Sequence, residues 1–136
     1  MRLFLIPLML IAFVWSSPTR AEEPSDSIRS VIERQLAAFQ ANDLDEAFQF
    51  ASPAIQRMFG DPQNFGRMVE RGYPMVWRPA GYRMLKLLET ESGLVQVVEF
   101  EDSAGVLHEA GYLMKQIDGV WRIAGVHVRK RPGVGT

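Results

Sequence analysis

Gln96, His108, Tyr112 and His127, together with the adjacent Trp77-Arg78 pair, are the side chains whose types and spacing suit recognition or chemistry. A tyrosine hydroxyl set in an apolar pocket can stabilise a developing oxyanion, provided a carboxylate base stands nearby. Two histidines on one sheet face begin a metal site, but zinc takes roughly three or four protein ligands. No third ligand accompanies His108 and His127 in the sequence. Trp77 and Arg78 offer a flat apolar surface and a cation to a ligand or partner. The chain has no cysteine, which excludes thiol nucleophiles, thiolate metal centres, disulfides and thiol redox work. No glycine-rich phosphate loop is present. No catalytic residue, metal ligand or cofactor is therefore assigned.

The second half of the chain must position most of these groups. From residue 82 the hydrophobic period is two, predicting strands over 82–90, 94–102, 106–117 and 120–129. The turns between them are Glu91-Ser92-Gly93, Ser103-Ala104-Gly105 and Asp118-Gly119. Asp-Gly between two strands is the strongest short hairpin signal, because a type I′ turn needs positive φ at both positions. A two-residue turn there pairs Ile117 with Val120 and Met114 with Ile123. Continued without interruption, it pairs Tyr112 with Gly125 and Ala110 with His127. One face then carries His108, Ala110, Tyr112, Met114, Trp121, Ile123, Gly125 and His127. The other carries Leu107, Glu109, Gly111, Leu113, Lys115, Arg122, Ala124, Val126 and Val128. The first face has the larger apolar groups and is assigned to the core.

A three-residue turn at 103–105 pairs Asp102 with Val106, which adds Leu94, Gln96, Val98 and Phe100 to that inner face. Val95, Val97, Glu99 and Glu101 then point outward. A one-residue slip would reverse these assignments, and the register of the first strand stays open. The inner face is apolar, with Gln96, His108, Tyr112 and His127 as its polar groups and no carboxylate in its middle. Tyr112 thus reads either as an oxyanion donor or as a core residue with a satisfied hydroxyl.

The first half supplies helices. Ile28, Val31, Ile32, Leu36 and Phe39 recur at helical spacing, after a polar lead-in at 22–27 with Ser25 or Asp26 as the N-cap. Asn42 and Asp43 stop this helix, and Asp43-x-x-Glu46 opens the next with a capping box. Ser52-Pro53 and Asp61-Pro62 each place a cap before a proline at the first helical position, with Gly60 and Gly72 as stops. Pro74 and Pro79 predict extended backbone over 73–79, a segment that serves as a lid over a pocket or as a rigid plug.

Residues 1–21 predict an export signal: Arg2, then an uncharged apolar run over 3–15, then small and polar residues ending at Ala21. That run is shorter than the roughly 20 apolar residues a spanning helix needs, and without cysteine no lipid can be attached at the cleavage point. The expectation is a domain over 22–131, a short tail over 132–136, and no stable membrane anchor after cleavage. The full chain has 136 residues and formal net charge −1. Removing 21 residues that carry Arg2 and Arg20 and no acid leaves 115 residues at −3. That charge excludes the basic footprint of a nucleic-acid binder, and the length suits one domain with a packed core. Arg129-Lys130-Arg131 reads as a solvated basic terminus.

Helices followed by a meander ending Asp118-Gly119-Val120-Trp121-Arg122-Ile123 resemble the nuclear-transport-factor-like, or cystatin-like, cone fold. That superfamily includes ketosteroid isomerase, scytalone dehydratase and many non-catalytic binding domains. Residues 51–60, continuing through Phe65-Gly66-Arg67-Met68-Val69 to Gly72-Tyr73-Pro74-Met75-Val76-Trp77-Arg78-Pro79, resemble the bacterial family called domain of unknown function 4864. The resemblance implies an α+β fold, N-terminal helices on a curved four-stranded antiparallel meander, and residence in the periplasm. It implies no activity. The function expected is non-catalytic binding of a small apolar ligand or of a periplasmic protein, with an isomerase-like or dehydratase-like enzyme as the alternative. Gln96, His108, Tyr112, His127, Trp77 and Arg78 are the candidate ligand contacts. A homodimer through the outer sheet face is a further expectation, carried by Val95, Val97, Leu107, Leu113, Val126 and Val128.

Overall fold

A computed structural model describes residues 23–131. The expected export signal and the 132–136 tail lie outside the described residues. Five helices precede four strands: α1 (Pro24–Gln40), α2 (Leu44–Gln49), α3 (Pro53–Phe59), α4 (Pro62–Gly72), α5 (Pro74–Trp77), then β1 (Gly81–Thr90), β2 (Gly93–Glu101), β3 (Leu107–Ile117) and β4 (Val120–Lys130). The strands form one antiparallel meander in the order β1-β2-β3-β4. No described helix is long and apolar enough to cross a membrane.

The helix starts follow from side chains that satisfy free backbone N–H groups. Asp43 accepts from Glu46 N at 3.2 Å, Ser52 Oγ from Ile55 N at 3.3 Å, and Asp61 from Asn64 N at 2.7 Å. Two expectations are corrected. The first helix begins at Pro24 rather than after Ser25 or Asp26, because Pro24 sits at the first helical position where no N–H is required. The same chemistry overturns extended backbone over 73–79. Pro74 starts the short helix α5, with the Tyr73 carbonyl accepting from Val76 N and Trp77 N.

The core lies between α1 and the inner sheet face. Ile28, Ile32, Leu36 and Phe39 form one stripe of α1 and are fully buried. They pack on Val98, Phe100, Ala110, Tyr112, Met114 and Ile123. Each such side chain contributes about 1.5–3 kcal/mol by leaving water.

The register over β2–β3 is as expected, with Phe100 opposite His108 and Gln96 opposite Tyr112. Lys115 does face Arg122, near the exposed hairpin end. Beyond Ile123 the β3–β4 ladder changes. Met114 pairs with Ile123, but Leu113 pairs with Gly125, which leaves Ala124 as a bulge. Every later side chain on β4 therefore changes face. Val126 and Val128 pack on the core, whereas Gly125 and His127 lie outside. The bulge follows contacts far along the chain. The α2–α3 connection docks on the β4 edge, with Ile123 N donating to Phe50 O and Ser52 N to Ile123 O, both at 2.8 Å.

A second bulge, between Met84 and Leu87, settles the β1 register. Tyr82 and Met84 lie opposite Phe100 and Val98, and Leu87 lies opposite Gln96.

Candidate functional site

A cavity of about 100 Å³ opens between the helices and the β3–β4 half of the inner face. Its position follows from how the short helices end. α3 contributes Ile55 and Phe59 to it but buries none of its own residues completely. α3 therefore spans the cavity rather than filling it. α4 brings Phe65, Met68 and Val69, and the buried Phe65 ring stacks obliquely on Phe39, Phe48 and Phe59 at 5.5–5.9 Å. Behind them, Tyr112, Ile123 and Val126 form the sheet wall. Val126 reaches the cavity only because of the Ala124 bulge.

The wall is mainly apolar, and its polar side chains are Gln35, Tyr73 and Tyr112. Gln35 sits on the buried stripe of α1, three residues after Ile32 and four before Phe39, and is 3% exposed. Its Nε2 donates to Ala47 O at 3.1 Å. Tyr112 is completely buried, and among the described residues its hydroxyl has no hydrogen-bond partner. Burial, with the nearby Tyr82 hydroxyl adding to it, pushes the Tyr112 pKa far up. The side chain stays neutral at any physiological pH, since an apolar surrounding disfavours the phenolate. The wall thus carries one neutral phenol and one amide as its most deeply buried polar groups.

Of the six side chains singled out in the sequence, Tyr112 alone lines this cavity. Gln96 is on the inner face as expected and fully buried. Its Nε2 donates to Leu85 O at 3.0 Å, Lys86 O at 3.3 Å and Val97 O at 3.0 Å. The first two carbonyls belong to the β1 bulge, so Gln96 pins that irregularity in place. His108 is 5% exposed, and its Nε2 lies 2.9 Å from Asp102 Oδ2. Asp102 Oδ1 also accepts from Ala104 N and Val106 N, each at 2.9 Å. The His108 contact first, then these backbone donors, hold the Asp102 carboxyl below its ordinary pKa. The pair organises the β2–β3 turn.

His127 is the clear correction. An unbroken ladder would set it beside His108 on the inner face. The structure sets it opposite Gly111 on the outer face, exposed. The two histidines therefore share no site, and no described cluster of His, Asp and Glu could hold a metal ion.

Trp77 and Arg78 belong to the closure of the helical end. Arg78 Nη1 donates to Phe39 O at 2.7 Å and to Trp77 O at 2.8 Å, and Nη2 donates to Asn42 Oδ1 at 2.7 Å. Its guanidinium lies 4.6 Å from the centre of the Trp77 ring, which itself packs on Phe39 at 5.5 Å. A cation at the carbonyl end of a helix is electrostatically favoured. Trp77 and Arg78 thus fasten helix ends together, while Tyr73 and Val76 reach the cavity from the same stretch.

Helical positions that line the cavity, such as Phe39, Met68 and Val69, are indistinguishable in sequence from ordinary core. Gln35 did carry a signal: a long polar side chain on an otherwise apolar stripe.

The outer face has a different character. Arg83, Glu99, Glu109 and Arg129 form one row across the four strands. Arg83 Nη2 lies 3.0 Å from Glu99 Oε1, Arg129 Nη2 lies 2.7 Å from Glu109 Oε2, and Arg131 adds a second contact to Glu99. The row thereby neutralises two neighbouring carboxylates. Beside it, a shallow depression of about 550 Å³ runs over Val95, Val97, Gly111, Leu113, Gly125 and His127.

The family model described as Domain of unknown function (DUF4864) matches residues 21–136. Among solved structures, an NTF-2-like protein of unknown function from Shewanella oneidensis MR-1 is similar in fold, with TM-score 0.55 and 16% sequence identity. The match covers 78% of this chain and 98% of that one. Curated proteins provide no match. The chain belongs to the DUF4864 family and has the α+β, NTF2-like cone architecture.

Proposed function

We propose that this DUF4864 protein is an exported, periplasmic binding domain that takes a small apolar ligand into the cavity between its helices and sheet, without catalysis. The observation that carries this reading is the wall of the cavity. It is built from Phe, Met, Ile and Val side chains, its polar groups are neutral, and it holds no carboxylate or histidine. Small-molecule sites are concave and mostly apolar, with a few placed polar groups. An isomerase-like or dehydratase-like reaction would need a base within hydrogen-bond reach of the substrate. Glu99 and Glu109 are instead tied to arginines on the opposite face. Export is supported by Arg2, the apolar run over 3–15 and the small residue Ala21.

A second role in self-association is favoured by the outer face. Val95, Val97 and Leu113 stand there with no described helix over them, and a grouped apolar surface of this kind marks contact sites. The Ala124 bulge turns the Val126 and Val128 side chains toward the core, so the apolar character of this face rests on Val95, Val97 and Leu113.

Native mass spectrometry combined with thermal-shift screening of the purified protein tests the ligand reading. The expectation is an adduct, or a Tm increase, with small apolar compounds. A clean apo mass and no shift across such a series would defeat it.

A further inference from the structure

We infer that the ligand of this cavity carries one hydrogen-bond donor, and that its class is a small, neutral, largely apolar alcohol or phenol received by the Gln35 side-chain oxygen. The inference rests on the cavity-binding function proposed above and narrows it.

Gln35 meets the C-terminal end of α2. That helix is six residues long, and Ala51 N donates to Phe48 O rather than to Ala47 O. The Ala47 carbonyl is thus one of the free acceptors that every helix leaves at its C-terminal end. Gln35 supplies the missing donor through Nε2 at 3.1 Å. A carbonyl can only accept, so the amide cannot flip without setting two acceptors against each other. Nitrogen is held towards α2, and Oε1 is held on the other side.

Oε1 accepts no hydrogen bond among the described residues. The buried unpaired side-chain atoms that are fully enclosed are Gln96 Oε1 and the Tyr112 hydroxyl oxygen, not Gln35 Oε1. Gln35 borders the cavity, and its oxygen, turned away from α2, is the acceptor it has to present there. A fixed acceptor in a wall whose other polar side chains are the two tyrosines, Tyr73 and Tyr112, selects a donor at its own position. No charged side chain lines the wall, so an ammonium or carboxylate would enter without a counter-charge, at a prohibitive desolvation cost. Size adds a bound. A cavity of about 150 Å³ admits benzene, and this one, about 100 Å³ but partly open, bounds the ligand to about one ring whose substituent or edge reaches the mouth.

The test is a titration of the purified protein with toluene, phenol and anisole, followed by NMR with the Gln35 side-chain amide assigned. Phenol has a hydroxyl donor, anisole has only an acceptor, and toluene has neither. All three are expected to shift cavity resonances. Phenol alone is expected to shift the Gln35 side-chain amide strongly. The ratio of the anisole Kd to the phenol Kd should fall about tenfold in Gln35→Met, the size of effect expected from one hydrogen bond. Should Gln35→Met fail to fold, the amide shift in the unaltered protein still decides. Binding of all three probes with no distinct response at Gln35 would overturn the donor assignment while leaving the cavity as an apolar site. Failure of every probe to bind would remove both.

Discussion

Gln96 lies directly across from Tyr112 on neighbouring strands, and each side chain buries one polar atom that has no hydrogen-bond partner. Their other interactions differ. The Gln96 amide nitrogen serves carbonyls of the β1 bulge, whereas the Tyr112 hydroxyl has no partner among the described residues. Their substitutions should therefore differ in sign.

Tyr112→Phe removes a buried hydroxyl that makes no bond, and it keeps the ring that packs against Phe100 at 6.4 Å. The expected outcome is unchanged stability or a gain of up to about 1–2 kcal/mol, since an unsatisfied buried polar group is costly. Gln96→Leu should lose about 1–3 kcal/mol by releasing the bulge carbonyls. Urea denaturation of both variants measures the pair.

Arg78→Ala should loosen the end of α1. The guanidinium joins Phe39 O to Asn42 Oδ1, and its loss should cost about 1.5–3 kcal/mol, the range for hydrogen bonds to charged groups. Arg78→Lys should recover little, because an ammonium cannot span two acceptors as a planar fork does. Hydrogen exchange at the amides of Ala41 and Asn42, which donate to Ala37 O and Phe39 O, reports the change locally.

Much of the architecture was legible because it is set by near neighbours. Asp43, Ser52 and Asp61 each cap a helix from three residues away, and Asp118-Gly119 closes a hairpin between adjacent strands. Positive φ at both turn residues, 51° and 78°, is what that dipeptide tolerates. The Ala124 bulge was illegible because a segment some seventy residues earlier, Phe50 to Ser52, docks at Ile123 and imposes it. That one inserted residue moved His127 out of the expected site and brought Val126 into the cavity. Pro74 misled for a local reason: a proline that forbids a helix interior is welcome at its first position. The cavity itself depends on where five helices end relative to the sheet, a relationship that no spacing rule encodes.

The Asp102–His108 pair predicts an acid limit to stability. A carboxyl whose folded pKa lies below its unfolded value stabilises the fold at pH above the unfolded value, and that contribution is lost as pH falls through the folded value. Asp102 is lowered by His108 and by two backbone donors, and Glu109 is lowered chiefly by Arg129. The Tm should therefore drop as pH is taken below about 4. Asp102→Asn should start lower at neutral pH and show a shallower acid decline. A Tm series from neutral pH into that acid range, run on both proteins, checks the slope.

Outer-face association predicts a concentration-dependent mass. Val95→Lys places a charge in the middle of the depression over Gly111 and Leu113 and should shift the protein to monomer without unfolding it, since the position is not in the core cluster. Light scattering across a range of concentrations measures this directly.

The most direct measurement of the central claim is a toluene titration monitored by methyl NMR. Ile55, Met68, Val69 and Ile123 line the cavity, and Val95, Val97 and Leu113 mark the outer face. The account predicts saturable shifts confined to the first group. Shifts that never saturate, or that appear on the outer face while Ile55 and Val69 stay unmoved, would contradict it.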